Sequence, residues 1–280
     1  MKPQSMLFTI YGEYVRHHGG EIWVGSLTRL MGEFGMSEQA VRVAISRTVS
    51  QGWLKARKIG NRSYYSMTPR GKKRLDEAGA RIYKQTSAKW DGKWCITTYN
   101  IPEKQRAMRD QFRKELSWMG FGMLANSVWI SPNDLADRVK EIAESYNITD
   151  CIEIFTSEHI GISTDKQLVE KCWNLDEINK AYQEFIDQYR PQYEKLREQV
   201  EKKQEISDGE CFVEKTKLVH EYRKFLFIDP SLPEELLPNF WVGRDADDLF
   251  RNYYALLDPG AVRFFLSVFE SAPDKDLALS

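Results

Sequence analysis

Residues 37–52 constrain this chain more than any other stretch. Ser37 is a helix N-cap residue type, Glu38 follows in the first turn where the helix dipole favours a carboxylate, and Gly52 marks a stop. On a helix of about 100° per residue, Val41, Ala44, Ile45, Thr48 and Val49 share one side. Gln39, Arg42, Val43, Ser46, Arg47 and Ser50 share the other. An anchored helix that projects two arginines, an amide and two hydroxyls presents the groups that read base edges and phosphates in a major groove. Val43 among them suits a thymine methyl.

The flanking residues fit that reading. Met6, Leu7, Ile10, Tyr11, Tyr14 and Val15 have helical spacing between Pro3 and Gly19-Gly20. Leu27, Leu30, Met31 and Phe34 lie on one face of a second helix ended by Gly35. Two short helices joined by a tight turn containing Gly predict a helix-turn-helix. Trp53–Ile59 partly alternates, Gly60-Asn61-Arg62 supplies turn residues, and Ser63–Met67 is the return strand, so a hairpin wing is expected. Arg62 at its tip and Arg57 are candidate contacts to the phosphate backbone or a minor groove, with Lys58 nearby. The alternative is a surface hairpin with incidental charges. Thr68 caps a further helix carrying Arg70, Lys72, Lys73 and Arg74.

Charge supports a nucleic-acid partner for this end alone. Residues 1–90 hold 16 Lys and Arg against 6 Asp and Glu, a net of +10, while the rest hold 24 against 35, a net of −11. The whole 280-residue chain sums to −1. With 42% hydrophobic and 29% charged residues it has an ordinary globular composition. No apolar run is long enough to span a bilayer and the start is no signal peptide, so a cytoplasmic protein without a membrane partner is expected. Cys95, Cys151, Cys172 and Cys211 form no C-x-x-C pair, and they are expected to be reduced. No zincin, nucleophile-elbow, Walker A or dinucleotide-binding glycine motif occurs. The scattered Glu13, Glu21 and Glu153, and the histidines His17, His18, His159 and His220, suggest no catalytic set. The chain is read as a non-enzyme without metal or cofactor.

The middle of the chain reads as strand (Trp94–Tyr99), helix from Pro102, a hairpin pair (Gly120–Leu124, Ser127–Ser131), helix from Asn133 or Asp134, and strand (Cys151–Phe155). Preceded by a linker from Ala88, this β-α-β-β-α-β order predicts a ferredoxin-like module. From Leu175 the pattern turns helical, with Pro191 expected to kink or break the run. A helix from about Glu210 to Phe227 follows, then another through Leu249, Tyr253 and Leu257, with a separate apolar segment after Pro259. The fold class is therefore α+β and multi-domain. A winged helix-turn-helix at 1–88, a ferredoxin-like dimerisation scaffold at 89–164 and a mainly helical effector and packing domain at 165–280 are expected.

The chain also resembles the PaaX-type transcriptional repressors of bacterial phenylacetate breakdown. The resemblance is carried by Tyr11-Gly12-Glu13-Tyr14-Val15, Gly19-Gly20-Glu21-Ile22-Trp23, Gly25-Ser26-Leu27, Phe34-Gly35, Val41-Arg42, Ser46-Arg47 and Gly52-Trp53-Leu54. Arg62-Ser63-Tyr64-Tyr65 with Arg70-Gly71 belongs to it, as do Cys172-Trp173-Asn174-Leu175, Asp229-Pro230-Ser231-Leu232-Pro233, Leu236-Leu237-Pro238 and Leu249-Phe250-Arg251. Val24 stands where the family often has Thr, Asn174 where Asp is usual, and Trp241-Val242-Gly243 where Trp-Pro-Gly is usual. The resemblance implies a repressor homodimer on double-stranded operator DNA, released by an acyl-CoA effector, phenylacetyl-CoA. It assigns no effector-binding residues. It also implies a middle domain shaped like the small CRISPR-associated nucleases, which carry an acidic metal ligand at the end of the first strand. Here that neighbourhood is Tyr99-Asn100-Ile101, and Asn is a poor sole ligand, so a scaffold is expected rather than a metal-dependent nuclease. The remaining alternative is a nucleic-acid-binding scaffold without ligand control.

Overall fold

The structure is a computed structural model that describes residues 1–83 and 89–273. The Ala88 end of the expected linker lies outside the described residues. The architecture is α+β, with two antiparallel sheets and a helical C-terminal region. The chain divides into two compact units that do not follow chain order. One takes in Met1–Ile82, Phe185–Arg223 and Asp245–Ser280, the other Tyr83–Glu184 and Lys224–Arg244. The last third of the chain thus contributes to both.

In the first unit, α1 (Pro3–Glu13) begins with proline at a position where its missing N–H costs nothing. Next come β1 (Glu21–Trp23), α2 (Val24–Gly32) and α3 (Glu38–Ser50). The hairpin β2 (Leu54–Ile59) and β3 (Arg62–Met67) leads into α4 (Pro69–Ile82). The sheet order is β1-β3-β2, with Leu54 opposite Met67 and Ile59 opposite Arg62. Gly60 turns the hairpin at φ 55°, a left-handed conformation that glycine adopts without a Cβ clash. β1 was not expected, because three residues are too few to show alternation. Thr68 Oγ1 accepts the Gly71 N–H at 3.2 Å and caps α4 as predicted.

The later helices that contribute most of their length to this unit differ from expectation at their prolines. α8 (Leu175–Glu201) runs unbroken through Pro191 and α10 (Gly243–Val268) through Pro259, so no separate segment follows Pro259. Both prolines are exposed, as are Asp187 and Ala255 four residues before them. Water can therefore satisfy the carbonyls that lose a helical partner, and the ring meets no packed neighbour on that side. α9 (Asp208–Tyr222) starts with a capping box between Ser207 and Glu210.

The second unit holds β4 (Lys93–Tyr99), α5 (Arg106–Trp118), β5 (Gly122–Ala125), β6 (Val128–Ser131), α6 (Ala136–Ser145), β7 (Ile152–Glu158) and α7 (Asp165–Cys172). The four strands lie in the order β5-β6-β4-β7, all antiparallel. One core gathers Cys95, Tyr99, Phe112, Leu116, Trp129, Val139 and Ile142. A second joins Trp94 and Ile130 to Leu168, Val169, Leu232 and Leu236. Alternation along β4 supplies both, since neighbouring residues on a strand point to opposite faces.

Candidate nucleic-acid interface

The interface begins with how α3 is held. Ser37 Oγ accepts the Ala40 N–H at 3.3 Å, which fixes the helix start. Val41, Ala44, Ile45 and Thr48 are buried, and the Thr48 hydroxyl donates to Ala44 O at 2.7 Å. Gln39, Arg42, Val43, Ser46, Arg47 and Ser50 are all exposed, and Val49 is half-buried. The structure thus brings these six residues onto one solvent face of one anchored helix. Their partners differ. Arg42 Nε donates to Glu38 Oε1 at 2.8 Å in an exposed ion pair. Ser50 Oγ donates to Arg47 O at 2.9 Å. Arg47 forms no ion pair among the described residues.

The two arginines of the hairpin are both engaged. Arg57 pairs with Glu21 on β1, its Nε donating at 3.2 Å. Arg62 pairs with Glu270 and lies over the Trp23 ring, 4.5 Å from the centroid. Hydrogen bonding to Glu21 raises the Arg57 guanidinium above its ordinary pKa, and hydrogen bonding to Glu270, then to Tyr64, does the same for Arg62. Sequence reasoning missed Glu21 and Glu270 as partners. Glu270 lies 208 residues from Arg62, beyond the reach of any local pattern. Lys55 and Lys58 are exposed on β2. Arg70 stacks on Trp53 at 4.2 Å, and Phe8 meets Trp53 edge-on at 5.9 Å, which ties α4 and the hairpin start to α1.

Three of the histidines have close polar partners, and Glu13 and Glu21 lie in ion pairs. His18 Nδ1 lies 2.8 Å from Tyr14 O, His159 Nδ1 lies 3.2 Å from Asp165, and buried His220 lies 2.9 Å from the Thr9 hydroxyl. Among the described residues, no group of three His, Cys, Asp or Glu side chains converges as a metal site. At the end of β4 the Asn100 N–H donates to Cys151 O at 2.8 Å. The four cysteines are free thiols. Burial pushes Cys172 up to about 11. Asn174 caps the start of α8, its Oδ1 accepting the Glu177 N–H at 3.2 Å. Val242 donates its N–H to Asn179 Oδ1 at 2.8 Å, a bond that proline at that position could not make. Among the described residues no helix is long and apolar enough to cross a membrane.

Comparison with known proteins adds the identity of the whole. Residues 2–71 match the model of the PaaX-like protein family, residues 87–169 that of the PaaX protein central Cas2-like domain, and residues 173–267 that of the PaaX-like protein C-terminal domain. The chain is 35% identical to the transcriptional repressor PaaX of Escherichia coli (strain K12) over 263 residues, covering 93% of this chain and 82% of that protein. An uncharacterized protein, Rv0674 from Mycobacterium tuberculosis, shares the fold at a TM-score of 0.53 and 21% identity, covering 91% of this chain and 94% of that one. These matches define a transcriptional regulator and not an enzyme. The chain belongs to the PaaX family.

Proposed function

We propose that this chain is a cytoplasmic DNA-binding repressor of phenylacetate breakdown genes. In this reading residues 1–88 are a winged helix-turn-helix. α3 is the recognition helix in the major groove, and the β2–β3 hairpin is a wing on the phosphate backbone. Residues 89–164 form a ferredoxin-like scaffold, for which the order β-α-β-β-α-β and the sheet order β5-β6-β4-β7 are the support. Residues 165–280 carry effector binding and packing. The protein acts as a homodimer on a partly palindromic operator, because a single recognition helix reads few base pairs. Its ligand is an acyl-CoA, phenylacetyl-CoA by family resemblance, which weakens DNA affinity.

The observation that carries the reading is the six-residue face of α3. Gln39, Arg42, Val43, Ser46, Arg47 and Ser50 are solvent-exposed while the opposite face of the same helix is buried. The test is binding of the full chain to promoter fragments of phenylacetate genes against random DNA. Arg47→Ala is expected to cost about 1–3 kcal/mol on the preferred site and much less on random sequence. Equal loss on both would make Arg47 a phosphate contact. No sequence preference in the wild-type chain would remove the repressor reading.

A further inference from the structure

We propose that Glu270 sets the DNA affinity of this protein by competing with operator phosphate for Arg62. The proposal rests on the reading above, in which the β2–β3 hairpin is a wing that meets DNA.

Arg62 opens β3 directly after the Gly60-Asn61 turn, at the tip of the wing. A cation there is placed for a phosphate. It is instead occupied on two sides, by the Trp23 ring beneath it and by the Glu270 carboxylate. Glu270 does not reach the tip by chance of a loose tail. Its N–H donates to Ser26 Oγ at 3.1 Å, and its carbonyl accepts the Trp23 N–H at 3.0 Å. The turn before it is pinned as well. Phe265 and Phe269 stack at 4.9 Å, with the His18 ring 5.0 Å from the first and 6.0 Å from the second. The end of α10 is thus built onto β1 and the start of α2, and the carboxylate is delivered to the wing by main-chain contacts.

The arrangement selects arginine. Glu21 holds Arg57 through both carboxylate oxygens, Glu270 holds Arg62 through one, and Lys55 and Lys58 on the strand of Arg57 form no ion pair among the described residues. Phosphate and carboxylate oxygens both accept from a guanidinium, and Glu270 does so through one oxygen only, so a phosphate that takes the fork bidentately competes for the same donors. The competition is reversible because the pair is open to water: the Arg62 and Glu270 side chains are 50% and 47% exposed. An ion pair so exposed is weak, and a phosphate with its released counterions displaces it. Every complex with DNA then gives up the Glu270 contact, and the bound state carries that loss.

The test uses the full chain and fluorescence anisotropy on operator and random duplexes over a series of salt concentrations. Glu270→Gln and Glu270→Ala are expected to bind both duplexes about 2–5-fold more tightly than wild type. Arg62→Ala is expected to bind less tightly, with the log–log salt slope flattened by about one unit. The double variant Arg62→Ala/Glu270→Gln should match Arg62→Ala alone, because the gain requires the arginine. Unchanged or weaker binding by both Glu270 variants would overturn the proposal, since the pair would then hold the wing ready for DNA. A gain that persists without Arg62 would also overturn it, by assigning the effect to bulk charge. If the wild-type chain binds no DNA while melting as a folded protein, the repressor reading itself fails and this proposal falls with it.

Discussion

Arg42 and Arg47 leave the same face of α3 with different neighbours, and their substitutions should differ accordingly. Arg42 is tied to Glu38 one turn back, so Arg42→Ala removes a cation and also leaves a carboxylate uncompensated on the face proposed to meet DNA. The expected loss of operator affinity is about 1–3 kcal/mol for the contact, deepened by that repulsion. The double variant Glu38→Ala/Arg42→Ala should recover part of the loss, and more than Glu38→Ala recovers when combined with Arg47→Ala, where Arg42 still compensates the carboxylate. Anisotropy titrations of the four variants check this. A like response at both arginines would mean that Glu38 takes no part in the interface. The face itself was legible in the sequence, because burial and exposure around a helix repeat within five residues. What each arginine is paired with was legible only for Arg42, whose partner is four residues away. The carboxylates facing Arg57 and Arg62 come from β1 and from beyond α10, where no spacing rule applies.

Among the elements, α1 with the following Tyr14 is joined to α9 with the following Arg223 through polar groups as well as apolar ones. Ser5 O accepts from Arg223 at 2.9 Å, Thr9 meets His220, and the Tyr14 hydroxyl lies 3.1 Å from that of Thr216. At the end of this ladder Lys215, 1% exposed, lies 3.6 Å from Glu13 and 2.6 Å from Asp258. Its ammonium also sits 4.7 Å from the Tyr14 ring and 4.3 Å from that of Tyr254. A buried charge without its counter-charge is costly, so Lys215→Ala should destabilise the protein by about 3–5 kcal/mol. Lys215→Met combined with Glu13→Gln should restore most of that, because it removes both buried charges and keeps the volume. Urea unfolding of the three proteins measures the difference, and a Lys215→Ala cost below about 1 kcal/mol would show that water reaches the site. Elements with their own caps and periodicity, such as α3, α9 and the β2–β3 hairpin, were readable one by one. The continuity of α8 and α10 was not, because a proline's effect depends on whether its solvent side is open, and that is set by packing. Nor was the sharing of the last third between two units, which is decided by contacts between distant segments.

For the molecule as a whole, the proposed release of DNA by an effector sets a requirement on the ligand. The first ninety residues carry +10 and the remainder −11, but the compact unit that holds Met1–Ile82 also takes in Phe185–Arg223 and Asp245–Ser280, so the split runs along the chain and is not a division between two ends of the molecule. An effector acting on such a molecule must bind the DNA-free state more tightly than the DNA-competent one, since equal affinity for both shifts nothing. Moving the protein from about 99% to 1% competent requires a preference of about 10⁴-fold. A free aryl acetate has few groups with which to make that distinction, whereas a coenzyme A thioester adds phosphates, an adenine and a long polar arm. Phenylacetyl-CoA is therefore expected to release operator DNA and to raise the melting temperature of the free protein, and phenylacetate at the same concentration to do neither. In the proposed homodimer, release should leave the two subunits together, because a ligand that alters half-site spacing abolishes operator binding without separating them. Gel-shift titration alongside light scattering separates the possibilities. Release by phenylacetate alone would remove the coenzyme from the mechanism, and ligand-induced monomers would replace a change of spacing by disassembly.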